Sequence, residues 1–289
     1  MTLIPGTRGD EVKQLQLKLN SLGEKLVVDG VYGNSTKNAV ERFQQGHGLS
    51  IDGVAGLNTQ RALNSTPEVK PDTQPSNGAD SPNFDRSLFL PDNQYVKEET
   101  DKQAIVLHHT EGASAASSVE SWTSNPDRIA TAYLVERDGT IYEVFDPKYW
   151  AWHLGSGKML KTNNATLANN RTIGIELANE GALELKGGKY YCFGSNREYV
   201  GRPWGFGNNE VITETWRDST YWAAYPEAQQ KATASLVSYL CSRFNIPKTI
   251  IGKLDYDKSV LLTGRGVFTH ATVRTDKQDL HPGFDFDLI

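Results

Sequence analysis

The placement of prolines between residues 65 and 85 constrains this chain more than any other feature, because it divides the chain into two folding units. Pro67, Pro71, Pro75 and Pro82 alternate there with Ser, Thr, Asp, Asn and Gly, and apolar content collapses. Such a stretch cannot bury a core and reads as a solvated, partly stiff linker. The segments on either side, 1–64 and 86–289, must then each supply a core of their own. With 38% apolar and 10% aromatic residues in 289, the composition permits this. The net charge of −5 gives no global reason to expect nucleic acid or membrane as a partner. No apolar run approaches the length of a membrane span. The first ten residues lack the basic and then apolar pattern of a secretory signal, so synthesis in the cytoplasm is expected. Cys192 and Cys241 are too few for a disulfide framework and read as small, buried free thiols. A monomer is expected.

The first unit contains an internal echo. Val28-Asp29-Gly30-Val31-Tyr32-Gly33-Asn34-Ser35-Thr36 is matched 23 residues later by Ile51-Asp52-Gly53-Val54-Ala55-Gly56-Leu57-Asn58-Thr59. Each copy is an Asp-Gly turn, a glycine, and a Thr-containing stretch able to start a helix. Val12, Leu15, Leu19 and Leu22 recur with helical spacing before the first copy, and Gly23 stands where a C-terminal cap belongs. A second helix would carry Ala39, Val40 and Phe43, and a short third one Ala62 and Leu63. The expectation is a small all-α domain of three helices with two turn-built loops. On the doubled Asp-Gly-Val-x-Gly-x-x-Thr motif, residues 6–64 resemble the type 1 peptidoglycan-binding domain. That resemblance implies attachment to the bacterial cell wall, although loop geometry alone would also demand both motifs.

The second unit is mixed. Strands are expected over 104–108, 131–137, 140–145 and 172–177, with Asp138-Gly139 closing a tight hairpin between the second and third. Residues 227–244 predict a helix with Ala228, Ala232, Leu236, Leu240 and Phe244 on one stripe, bounded by Pro226 and Pro247. Strands separated by helices predict an α/β fold, one mixed β-sheet flanked by helices. Residues 186–225 carry Gly187-Gly188, Tyr190-Tyr191, Trp204, Trp216, Trp222 and a Gly-rich centre at 201–207. Their aromatics are expected to pin an insertion onto the core, the other reading being a substrate groove.

Three residues far apart suggest the chemistry. His108 ends the apolar run Ala104-Ile105-Val106-Leu107, His270 follows Val267-Phe268-Thr269, and Asp279 lies nine residues further on. Two imidazoles and a carboxylate are what a catalytic zinc takes from protein, with the fourth position left to water. Glu176 ends the apolar strand Ile173-Gly174-Ile175, so an acid stands at a strand end. Taken alone, Glu176 would read as a salt-bridged carboxylate, and Lys277 as a solvated loop charge. His109 points to the opposite side of its strand from His108 and is expected to pack or hydrogen bond rather than to ligate.

Residues from about 100 to 289 resemble the type-2 N-acetylmuramoyl-L-alanine amidases, the zinc amidase family that includes phage lysozyme-type amidases and peptidoglycan recognition proteins. The motifs are Leu107-His108-His109-Thr110, Ala151-Trp152-His153-Leu154-Gly155, Asn170-Arg171-Thr172-Ile173-Gly174-Ile175-Glu176, Thr269-His270-Ala271 and Lys277-Gln278-Asp279. The resemblance implies zinc held by His108, His270 and Asp279. It implies Glu176 as the acid and base, and Lys277 as the cation that stabilises the oxyanion. His153 and Asn170 match positions near the substrate groove. The third ligand has a rival in His281, which precedes Pro282-Gly283. Aligned on Lys-x-Asp-Pro-Gly-Pro-x-Phe-Asp, the match selects Asp279, with Leu280 and His281 departing from the usual Pro and Gly. The implied activity is hydrolysis of the amide between N-acetylmuramic acid and L-alanine in peptidoglycan, as in a modular phage endolysin acting on the wall after release. A non-catalytic wall-recognition protein and a zinc peptidase cutting the stem peptide are the alternatives, although His-Glu-x-x-His is absent.

Overall fold

The computed structural model describes residues 2–22, 24, 26–65, 81–112, 114–155, 157, 160–199 and 211–289. Gly23, the prolines between 66 and 80, and Trp204 with the Gly-rich centre at 201–207 lie outside these residues. Two compact units result, one of Met1–Ser76 with Asp85–Phe89, the other of Asn77–Phe84 with Leu90–Ile289.

In the first unit, helices α1 (Asp10–Ser21), α2 (Asn34–Gly46) and α3 (Leu57–Ser65) bury the expected faces. Val12, Leu15, Leu19, Ala39, Val40, Phe43 and Leu63 share one cluster with Tyr32 and Ala55. The echoed loops are held by two buried glutamines that hydropathy does not reveal. Gln16 Nε2 lies 2.9 Å from Asp29 Oδ1, 3.1 Å from the Val31 carbonyl and 3.1 Å from Thr36 Oγ1, and its Oε1 accepts from Gly30 N at 3.0 Å. Gln44 repeats the pattern with Asp52 Oδ1 at 2.8 Å, the Val54 carbonyl at 3.0 Å, Thr59 Oγ1 at 3.0 Å and Gly53 N at 3.0 Å. Gly53 has φ of 62°, which a side chain would strain, and a Cβ there would sit 2.7 Å from Lys37 Cγ. Each motif is thus a turn closed on its own Asp and stapled to a helix from behind.

The second unit holds two sheets where one was expected. The first runs in the order β1 (Phe84–Asp85), β4 (Ile141–Glu143), β3 (Tyr133–Val135), β5 (Thr172–Leu177), β2 (Ala104–His109), β10 (Gly266–Thr269). Strands β3, β5, β2 and β10 pair in parallel, and β3 with β4 antiparallel. Within the C-terminal end of the expected linker, Phe84 is buried and its ring packs 5.5 Å from that of Tyr133. The second sheet, β7 (Lys189–Cys192), β6 (Ala182–Lys186), β9 (Ser219–Ala223), β8 (Val211–Trp216), is wholly antiparallel, and sequence patterning did not anticipate its strands.

Every residue of β2 and of β10 is buried, as strands covered on both faces must be. On one face Ala104 and Val106 pack with Leu154, with Ala168 of α5 (Thr162–Asn170), Leu261 of α7 (Val260–Thr263) and Val273 of α8 (His270–Val273). On the sheet's other side, α6 (Glu227–Phe244) is anchored by Gln229, whose Nε2 donates to the carbonyls of Val135 at 2.9 Å and Ala178 at 3.0 Å. Helix α4 (Ala115–Thr123), capped by Ser114, follows β2. Both cysteines are free and buried.

Two stability predictions follow from buried polar groups. Gln44→Ala strands Gly53 N–H and the Asp52 side chain, and should cost about 2–3 kcal/mol with faster amide exchange at Gly53; unchanged exchange would remove the staple. Lys102 is 1% exposed, with Nζ donating to Thr100 Oγ1 and the Asn170 carbonyl, each at 2.8 Å. Burial lowers its ammonium from 10.5 to about 7. Between those values the unfolded chain binds the extra proton, so stability rises with pH through the window and the penalty is complete below it. Lys102→Met should stabilise the protein at pH 6 and flatten the rise from 7 to 10.5 in denaturant titrations.

Candidate metal centre

The parallel strands end on the same edge, and that edge carries the chemistry. His108 pairs in register with Glu176, and Thr269 with Leu107. Side chains alternate along a strand, so His108 shares a face with Ala104 and Val106, and Glu176 with Thr172 and Gly174. At the end of β10 a capping box stops the strand. Thr269 Oγ1 accepts from Thr272 N at 3.1 Å, Thr269 N donates to Thr272 Oγ1 at 3.3 Å, and His270 becomes the first residue of α8. Asp279 is tied to that helix through Ala271 N, which donates to the Asp279 carbonyl at 2.7 Å.

Three donor atoms converge as a result. His108 Nδ1 lies 3.1 Å from His270 Nδ1 and 3.2 Å from Asp279 Oδ2, and His270 Nδ1 lies 3.0 Å from the same oxygen. All three residues are buried. Metal–ligand bonds near 2.0–2.1 Å at tetrahedral angles put neighbouring donors about 3.3 Å apart, so the triangle has the size of one face of such a site.

The outward nitrogens set the tautomers. His270 Nε2 lies 3.0 Å from the Leu154 carbonyl, which only accepts, so Nε2 carries the proton and Nδ1 offers a lone pair. His108 Nε2 faces His153 Nδ1 at 2.9 Å, and His153 Nε2 faces Thr172 Oγ1 at 3.0 Å. The Thr172 hydroxyl donates to the Ala168 carbonyl at 2.9 Å, so it accepts from His153. His153 then accepts from His108, and His108 Nδ1 is also a lone pair. Gly174 makes the relay possible, since a Cβ there would sit 2.6 Å from Thr131 and 3.2 Å from the His153 ring.

Electrostatics agree with a neutral His108 and an ionised Asp279. Burial, then the neighbouring His270, lowers His108 to about 4. Burial alone would raise Asp279, but His270 and His108 hold it well below the usual carboxylate range. Asp279 Oδ1 is buried with no hydrogen-bond partner among the described residues. A buried anion so exposed on one oxygen costs free energy unless a cation offsets it. The donor set therefore fits a divalent ion. Burial, followed by the Asp279 charge, raises Glu176 to about 8, with Lys277 opposing.

The other predicted residues divide. His153 stands behind His108. Asn170 is the last residue of α5, two residues before β5 begins, and its carbonyl accepts from Thr100 and Lys102. Its neighbour Asn169 touches the site instead, its Oδ1 accepting from His153 N at 2.9 Å and Leu154 N at 3.1 Å. Asn169 and Thr172 were missed because a helix-end amide and a strand-start hydroxyl have no periodic signature. His281 stays outside the triangle, stacked between Trp222 at 5.0 Å and Tyr225 at 4.5 Å. His109 faces away, 2.8 Å from the Tyr225 hydroxyl. A cleft of about 490 Å³ is lined among others by His109, Glu111, Arg197, Arg217, Asp218 and Gln278, and none of the three triangle residues lines it.

The family model described as N-acetylmuramoyl-L-alanine amidase matches residues 98–283, and one for a peptidoglycan binding domain matches residues 8–63. The zinc D-Ala-D-Ala carboxypeptidase of Streptomyces albus G is 45% identical over 58 residues, 19% of this chain and 23% of that protein. The N-acetylmuramoyl-L-alanine amidase CwlL of Bacillus licheniformis is 41% identical over 66 residues, 20% of this chain and 18% of that protein. The chain thus spans less than a quarter of the length of these relatives. Among solved structures, AmiD from E. coli, with its anhydro-N-acetylmuramic acid peptide substrate, is 18% identical, covering 65% of this chain and 56% of that one with a TM-score of 0.38. The Burkholderia AP3 phage endolysin is 42% identical over 25% of this chain and 27% of that one, with a TM-score of 0.22.

The two candidates for third ligand separate experimentally. Asp279→Ala should abolish retention of a divalent ion through dialysis, measured by elemental analysis, while His281→Ala retains it; the opposite result would assign the ligand to His281.

Proposed function

The chain belongs to the N-acetylmuramoyl-L-alanine amidase family, and from that premise we propose that it hydrolyses the amide between N-acetylmuramic acid and L-alanine in peptidoglycan. The observation that carries the proposal is the buried triangle of His108, His270 and Asp279, with Glu176 on the adjacent strand and the same face. His108, His270 and Asp279 would hold zinc, since imidazole and carboxylate donors in threes with one open position suit that ion. When bound, zinc supplies Lewis acidity, making water nucleophilic near neutral pH and polarising a carbonyl.

The chain's own groups supply the rest. Glu176 takes the proton from the attacking water and delivers it to the departing L-alanine nitrogen. A carboxyl raised by burial suits both directions of that transfer better than an exposed one. Lys277 places its ammonium beside the developing oxyanion. His153, through the relay to Thr172, keeps His108 in the ligating tautomer and orientation. The cleft beside Gln278 would receive the stem peptide.

The first unit, through its match to the peptidoglycan binding domain, would hold the wall polymer and raise the effective concentration of cleavable bonds. Action is then on the cell wall, in the manner of a modular endolysin reaching it after release. No helix among the described residues is long and apolar enough to cross a membrane.

Glu176→Gln should keep the metal and lower turnover by roughly 100-fold or more. Mass spectrometry of wild-type digests of purified peptidoglycan should show intact glycan chains and free stem peptides beginning with L-alanine. Peptides still attached to muramic acid with cut cross-links would replace the amidase reading with a peptidase, and no release at all with a binding protein.

A further inference from the structure

The second sheet meets the segment that carries the third ligand at several points. Trp222 of β9 stacks on His281, with ring planes 18° apart. Gln278 Nε2 lies 3.4 Å from Ser219 Oγ. The main attachment is Arg217, in the turn between β8 and β9. Its Nη2 donates to the Ala271 carbonyl at 2.7 Å, and its Nη1 to the carbonyls of Arg274 at 2.9 Å and Thr275 at 3.1 Å.

These carbonyls span the chain between the second and third members of the triangle. Ala271 follows His270 directly, and its N–H holds the Asp279 carbonyl. Thr275 opens the loop that leads to Lys277 and Asp279. The last carbonyls of a short helix have no partners of their own, so an outside donor sets their direction. A planar, forked guanidinium can hold three such carbonyls at once, whereas an ammonium acts as a point charge.

The backbone supports the same reading. Arg217 has φ of 50°, a left-handed conformation that a two-residue hairpin turn ordinarily fills with Gly, Asn or Asp. Its guanidinium also lies over the Trp216 ring, 4.6 Å from the centroid. Arginine at a position better suited to glycine points to a side chain held for its contacts.

We propose that Arg217 is a positioning residue for the metal centre: by gripping the carbonyls of Ala271, Arg274 and Thr275, it sets the spacing between His270 and Asp279. The inference rests on the metal reading above but not on the identity of the substrate. It also has a sign that distinguishes it from simple charge. Arg217 is a cation near Asp279, so its removal by electrostatics alone would tighten binding of a dication. Loss of the grip loosens it.

The test uses the full chain as wild type, Arg217→Gly and Arg217→Lys, with zinc affinity measured by competition against a chromophoric chelator and melting measured on the metal-stripped proteins. The expected result is roughly 10–100-fold weaker zinc binding in Arg217→Gly, with melting of the stripped protein unchanged or raised because glycine relaxes the turn. Arg217→Lys, which keeps the charge without the fork, should also bind more weakly than wild type. Unchanged or tighter zinc binding in Arg217→Gly would overturn the inference, as would weaker binding accompanied by a matching fall in stripped-protein melting. A wild-type chain that binds no zinc would overturn the metal reading and this inference together. Zinc binding as expected without amidase activity would overturn only the proposed reaction.

Discussion

Parallel pairing of β2 with β5 and with β10 is the constraint on which the candidate site depends. Parallel strands bring equivalent ends together, and the register aligns His108 with Glu176 and sets Thr269 beside Leu107. A slip of one residue would turn His108 to the face where His109 meets Tyr225, and Glu176 would lose its place opposite. Burial on both faces makes such a slip costly, because it would exchange apolar side chains between two filled layers. The rigidity of the sheet therefore becomes the precision of the site.

Around that edge the protein handles an unfavourable electrostatic situation with directional hydrogen bonds. Two imidazoles and a carboxylate within 3.2 Å of one another would be expected to share protons. Acceptors placed behind the rings prevent this. The Leu154 carbonyl holds a proton on the far nitrogen of His270, and the His153–Thr172 relay does so for His108. What remains inside is two lone pairs and a negative charge, a combination suited to a cation. Glu176, half-buried at the strand end and with no hydrogen-bonding partner among the described residues to keep it ionised, moves in the opposite direction to Asp279. Neighbouring sites thus hold one carboxyl ionised and push the other towards its neutral form.

The N-terminal unit solves a different problem with similar means. Its core is small, and the two Asp-Gly loops would be loose if held by their turns alone. Gln16 and Gln44 each place a single amide where it satisfies an aspartate, a carbonyl, a hydroxyl and an amide N–H. A buried amide with all its valences used orders a loop more specifically than an apolar contact can.

Much of this was legible in the order of residues. Helix 227–244 and strand 172–177 were readable to the residue, because a long apolar stripe between prolines and a short apolar run after a polar break each admit one period. The identities of His108, His270 and Glu176 stood out because polar groups ending apolar runs need a reason to be there, whereas Asp279 was selected by the family resemblance. The second sheet was not legible, since aromatic residues interrupted by charged and Gly-rich segments show no clean alternation. The contacts of Asn169, Thr172 and Arg217 were also invisible. Local patterning of side chains determined which segments become strands and helices and which chemical groups they carry. Only the tertiary structure decided which groups meet and which nitrogen of each imidazole faces inward, because those outcomes depend on strand register and on partners more than 100 residues away in the chain.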